Sequence, residues 1–228
     1  AAGTPVQATT RNVSKGKEIL NENAQVVELD LLSEDPSVLQ AAVQGVSAVV
    51  ISVGTTAFPT LKWRGGNTPQ AIDQVAVTKI AEAVSKEPSV KKVVMVTSVG
   101  VDRTNEMPFM VLNLFGVLDA KKAGEDAIIK SGKDYVIVRP GRLIGGPFTN
   151  VDVAKLLQIE GGAENGVNIE LGDSLLGDCK RDACAECIVQ ILRNDSAKNM
   201  AFSIVSNDQA ALTDKEWTQV VDSMKFLQ

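Results

Sequence analysis

Apolar residues in this chain gather alternately into short dense runs and into longer stretches with one apolar position every third or fourth residue. The dense runs predict strands at Pro5–Thr10, Gln25–Asp30, Ala48–Val53, Val93–Thr97, Tyr135–Val138 and Met200–Val205. Those that are Val-rich without polar alternation, such as VVMVTS, fit parallel strands covered on both faces. The periodic stretches predict helices at Ser14–Asn21, Ser37–Gln44, Asp182–Arg193 and Asp214–Met224. A further helix starts at Thr68 as N-cap with Pro69 at its first position, and carries Ile72, Val75, Ala76, Ile80, Ala83 and Val84 at helical spacing. Strand–helix alternation is the mark of βαβ units, so the expected fold class is α/β with a doubly wound parallel sheet. Pro147–Gly177 reads as loop-rich.

The central stretch Val93–Gly146 reads as a buried strand, a polar loop, a long helix, a second buried strand and a glycine-rich exit. Ligands of open α/β sheets collect at the carboxyl ends of the strands, which is where Ser98 and Arg139-Pro140-Gly141 fall. The start of the long helix, MPFMVLNLFGVL, is apolar on nearly every face for about two and a half turns. Two readings follow. The stretch is buried under the 147–177 region, or it is a protein-partner surface with Phe109, Leu114, Phe115 and Leu118 among its contacts.

A chain of 228 residues suits one large domain over 1–228, and 44% apolar with 22% charged residues is ordinary for a globular protein. The net charge of −5 argues against a nucleic-acid partner, which calls for clustered Lys and Arg. No apolar run is long enough to span a membrane, so a spanning segment is not expected and peripheral association stays open. Three cysteines, Cys179, Cys184 and Cys187, lie close together in a chain with no histidine, so no metal site is expected. Cys184 and Cys187 admit a redox reading, but the apolar period of DACAECIVQIL favours two thiols packed on one helix face.

The ordered segments TSVG, GVLDAKKAGEDAI, SGKDYVIVRPGRL and CKRDACAECIVQIL resemble the atypical short-chain dehydrogenase/reductases, a Rossmann family. Within it the chain looks closest to the plastid subgroup that includes the dehydrogenase-like subunit of the chloroplast import translocon. On this resemblance AAGTPVQATTRN matches the second strand and its approach, so the first strand, the phosphate loop and the first helix are not among these residues. An N-terminally incomplete domain is therefore expected, with a slot between the strands at Pro5–Thr10 and Ala48–Val53.

The resemblance implies NADP(H) as cofactor where the phosphate loop is present, and no cofactor where it is absent. It implies Arg11 against a ribose 2′-phosphate, Asp30 near the adenine, Gly54 at a close backbone approach and Lys121 near the nicotinamide ribose. Each has a plainer reading: Arg11 solvated, Asp30 a turn former, Gly54 an ordinary strand-end glycine, Lys121 an i,i+4 surface pair with Glu125. Family members pair a proton-transferring tyrosine with the helix lysine in Tyr-x-x-x-Lys. Val117 stands in the tyrosine's place, and the only tyrosine, Tyr135, lies in an apolar strand. Ser98 matches a substrate-polarising serine.

Two functions from different classes follow from the resemblance. One is a catalytically silent NAD(P)-binding-fold protein that serves as a scaffold, assembly factor or subunit of a larger plastid complex, photosynthetic assemblies included. The stroma and the thylakoid surface are its expected places. The other is an NADPH-dependent reductase of a small molecule, with Lys121 and Ser98 as its catalytic residues.

Overall fold

Val93 and Met95 pack into one apolar cluster and Val94, between them, into another. That period of two, with neither face wet, makes VVMV an interior strand. The structure, a computed structural model, describes residues 4–20, 22, 24–145 and 166–225. In chain order the elements are β1 (Gln7–Thr10), α1 (Val13–Leu20), β2 (Gln25–Glu28), α2 (Pro36–Val43) and β3 (Ala48–Ile51). Then follow a 3₁₀ turn (Leu61–Gly66), a π-helical turn (Gln70–Ala76), α3 (Val77–Lys86), β4 (Lys92–Val96), α4 (Phe109–Leu112) and α5 (Val117–Lys130). The last group is β5 (Asp134–Pro140), β6 (Arg142–Ile144), β7 (Gly166–Leu171), β8 (Asp178–Lys180), α6 (Arg181–Arg193), β9 (Met200–Asn207) and α7 (Asp214–Lys225).

The main sheet has strand order β3-β4-β5-β9-β7. Its first four strands are parallel, in register Val94↔Val136 and Val136↔Met200 among others. Helices α2 and α3 close one face with Leu39, Val43, Ile80 and Val84. Helices α6 and α7 close the other with Cys187, Ile191, Trp217 and Val221. The chain thus has the expected Rossmann-like, mostly parallel α/β architecture.

β1 and β2 form a separate parallel pair, Gln7↔Gln25 to Thr10↔Glu28, and β1 is not paired with β3 among the described residues. The break expected between the first and third predicted strands is therefore present.

Three expectations need correction. The region read as loop-rich contains β7, which pairs antiparallel with β9 from Gly166↔Asn207 to Leu171↔Phe202; GVNIEL alternates in burial as a half-covered edge strand does. Residues 147–165 of that region, and with them the proposed cover over Phe109–Leu118, lie outside the described residues. The helix foreseen from Thr68 begins with a π turn. Thr68 Oγ1 does accept the Ala71 N–H at 3.2 Å, as an N-cap should. The stretch MPFMVLNLFGVL is not one helix: α4 stops at Asn113 and α5 restarts after Gly116, whose φ of 70° no side-chain-bearing residue adopts easily. Asn113 Oδ1 accepts the N–H groups of Leu118 and Asp119 at 2.9 and 3.2 Å, capping the second helix.

Candidate functional site

The loop leaving the carboxyl end of β3 begins Gly54-Thr55, and these two residues meet Asp73 of the π turn and Lys121 of α5. Lys121 Nζ donates to Asp73 Oδ1 at 2.5 Å. Asp73 Oδ2 accepts the Thr55 N–H at 3.1 Å and the Thr55 hydroxyl at 2.5 Å. The Asp73 side chain is 2% exposed and that of Lys121 11%. A Cβ on Gly54 would lie 2.8 Å from Lys121 Nζ and 3.0 Å from Asp73 Oδ1, so a larger residue here would push the lysine ammonium aside. Gly124, one turn after Lys121 on α5, lets that helix close on the π turn: its Cβ would come 2.4 Å from the Asp73 carbonyl oxygen. The expected Lys121–Glu125 surface pair is thus corrected. Lys121 turns to Asp73, and Glu125 is fully buried in another network.

Arg11 and Asp30 lie beyond the carboxyl ends of β1 and β2. Exposed Arg11 donates from Nη1 to Asn67 Oδ1 at 3.0 Å, and Asn67 in turn donates to the Arg64 carbonyl at 2.7 Å. The loop after β3 therefore reaches across to the end of β1. Asp30 Oδ1 accepts the Leu32 N–H at 3.0 Å, a local turn bond. Ser98, half-buried just past β4, donates to the Val99 carbonyl at 3.0 Å. Gly54 and Lys121 are brought together; Arg11, Asp30 and Ser98 each make their described bonds elsewhere.

Behind Ser98 lies a buried polar network. Arg139, at the carboxyl end of β5, donates from Nε and Nη2 to the two Glu125 oxygens at 3.0 and 2.6 Å, and from Nη1 to Asp102 at 2.6 Å. The Thr97 hydroxyl adds a bond to Glu125 at 2.6 Å. Burial opposes the Arg139 charge, but the bonds and charge of Glu125, then of Asp102, outweigh it and raise the guanidinium above its ordinary value. Asp173 holds the adjoining loop through the N–H groups of Gly100 and Asp102 and through Arg103 at 3.0 Å.

The expected partner surface divides. Phe109 and Leu118 are 2% and 3% exposed and pack with Val99, Val101, Leu112 and Val117. Both are corrected to core, because the break at Gly116 turns them inward. Leu114 is 67% and Phe115 46% exposed, joined by Met107 and Met110. Phe115 also meets Phe58 and Trp63 edge-on at 6.2 Å, tying the α4–α5 junction to the loop after β3.

Cys179, Cys184 and Cys187 are buried in the core between the sheet and α6. The bond to Cys184, then burial, pushes the Cys179 thiol up, while the same bond pulls Cys184 down. Burial pushes Cys187 up. Tyr135 packs against the core on β5 as its apolar setting implied. Asp73 is the residue that sequence reasoning missed. The available signal was a lone acidic residue, QAIDQVA, in an otherwise uncharged stretch.

Residues 1–195 match the NAD(P)H-binding family. The chain is 32% identical over 158 residues to the protein TIC 62, chloroplastic, of Oryza sativa, covering 60% of this chain and 31% of that protein. It is 30% identical over 220 residues to an uncharacterised chloroplastic protein of Arabidopsis thaliana, covering 91% and 70%. The chain thus spans about a third or less of the length of the TIC 62 proteins it matches. Among solved structures, the oxidoreductase ylbE of Lactococcus lactis aligns with a TM-score of 0.72 at 16% identity, over 99% of this chain and 87% of that one. A Veillonella parvula short-chain dehydrogenase/reductase in complex with NADP aligns with a TM-score of 0.61 at 16% identity, over 88% and 82%. At such identities the structures bear on fold alone. No described helix is long and apolar enough to cross a membrane.

Proposed function

The chain belongs to the NAD(P)H-binding family, and from that premise we propose that it is an NADP(H)-binding module with no proton-transferring tyrosine, acting as a scaffold, assembly factor or subunit of a larger plastid complex. The observation that carries this reading is the pair of residues one helical turn apart on α5. Val117 stands where the family's acid would be and is 3% exposed, inside the core; Lys121, which would assist that acid, is paired with Asp73 instead. The plastid setting is supported by the chloroplastic relatives, and the complex by the exposed apolar residues Met110, Leu114 and Phe115.

In this reading residues 1–228 work as one unit. Gly54 and Lys121 face the cofactor, Arg11 serves a 2′-phosphate and Asp30 the adenine. When bound, the cofactor would bring a hydride donor, which this reading leaves without a proton-transferring partner. What supports this placing is Gly54, where the main chain lies beside the Lys121 ammonium with no Cβ between them. Ser98 keeps a hydroxyl near the strand ends for orientation.

The test is NADPH titration of the full-length natural protein followed by a turnover assay against carbonyl and quinone panels. Binding with turnover at background is expected. The reductase alternative draws on the partial exposure of the Lys121 side chain, 11%. Turnover that Lys121→Ala abolishes would establish it and remove the scaffold reading.

A further inference from the structure

Resting on the cofactor reading above, we propose that Asp73 is a positioning residue: it holds the Lys121 ammonium beside Gly54, and so fixes the cationic donor that a nicotinamide dinucleotide meets at the carboxyl end of β3. Both Asp73 oxygens are engaged, one by Lys121 and the other by the N–H and hydroxyl of Thr55. Bonds from the exit of β3 and from α5 therefore converge on one carboxylate, 2% exposed, delivered by a π turn. Such turns inside helices recur at functional positions. A lysine on a four-carbon stem has many rotamers, and a buried carboxylate with no freedom of its own selects one of them. One of the three ammonium N–H donors goes to Asp73, and among the described residues no second acceptor meets it. Gly54 keeps that side free of a Cβ.

Charge alone makes the opposite forecast to positioning. A nicotinamide dinucleotide is anionic, so removing a nearby negative charge should tighten its binding. If Asp73 acts by placing Lys121, removing that charge weakens binding.

The experiment measures NADPH affinity of the full chain by fluorescence, with thermal midpoints recorded for every variant. Asp73→Asn is expected to weaken binding about tenfold or more, the scale of one charge-assisted hydrogen bond. Lys121→Met should weaken it to a similar degree, and the double variant no further than Lys121→Met alone, because the carboxylate acts through the lysine. Unchanged or tighter binding in Asp73→Asn, or losses that simply add, overturns the proposal. Should Asp73→Asn not fold, Thr55→Val loosens the carboxylate while leaving its charge; weaker binding supports positioning and unchanged affinity overturns it. If the unmutated protein binds no NADPH, the cofactor reading fails separately. Positioning is then read from acetylation by N-acetoxysuccinimide: Lys121 should react about tenfold faster or more in Asp73→Asn, or in Thr55→Val, with Lys122 unchanged. Equal Lys121 rates overturn it.

Discussion

Arg139 and Glu125 face each other through two parallel hydrogen bonds of 3.0 and 2.6 Å, with the carboxylate wholly out of solvent and the guanidinium side chain 5% exposed. The pair joins the carboxyl end of β5 to the middle of α5, on the helix that carries Lys121. Removing Glu125 leaves the buried guanidinium only the half-exposed Asp102, so the cost approaches the roughly 3–5 kcal/mol of breaking a buried pair. Glu125→Ala should therefore lower urea-unfolding stability by about that much, and the joint replacement Glu125→Leu with Arg139→Met by distinctly less. Equal losses in the two variants would show that packing, and not the stranded charge, sets the cost.

The nicotinamide preference should follow Arg11. If the protein binds dinucleotides, NADPH is expected to bind more tightly than NADH, and Arg11→Ala to narrow the gap. A charge-assisted bond to a phosphate contributes about 1.5–3 kcal/mol. Equal affinity for the two cofactors in the unmutated protein removes Arg11 from that role.

Val117→Tyr should not restore a reductase. Val117 is buried in the cluster that holds Phe109, Leu112 and Leu118, so the larger ring should overfill the core and cost about 1–3 kcal/mol. Acid–base help worth roughly 10²–10⁴-fold in rate needs the hydroxyl at the reacting atoms, and a side chain at this position points into the core. A lowered melting midpoint with turnover still at background is the expected pair of results.

Substitutions on α4 and its exit should separate partner contact from core. Met110→Ser with Leu114→Ser alters residues 50% and 67% exposed, and should leave stability within about 0.5 kcal/mol; on the proposed complex-subunit reading it should also reduce recovery of partner proteins in co-purification. Phe109→Ala should instead cost about 3–5 kcal/mol. An assembly that survives the double serine variant intact would exclude this face as the contact.

Acid should destabilise the fold through three surface carboxylates. The hydroxyl and N–H of Ser89 lower Glu87, the N–H and hydroxyl of Thr213 lower Glu216, and Ser37 lowers Asp35. Because their folded values lie below the ordinary 4.5 and 3.8, their stabilising contribution is complete above those values and disappears as pH falls through the folded ones. Unfolding midpoints followed from pH 7 downward should fall in that window, and Glu216→Gln should flatten the decline.

Hydrophobic patterning alone determined the interior strands and their order with the helices. Val93, Val94 and Met95 have apolar neighbours on both faces wherever they are placed, so their strand is legible from three residues. Val117 and Lys121 are likewise one turn apart in any helix, so the family resemblance was enough to put a valine in the tyrosine's place without coordinates. What the sequence could not show was decided by contacts between distant segments. Asp73 meets Lys121 across 48 residues, and Arg139 takes Glu125 away from the lysine one turn behind it. Gly116 and the Asn113 cap split an apolar stretch that reads as one helix, turning Phe109 inward and leaving Leu114 outside. Local pattern records how each residue partitions between water and core. Which buried charge finds which partner depends on how the elements pack, and only the tertiary structure fixes that.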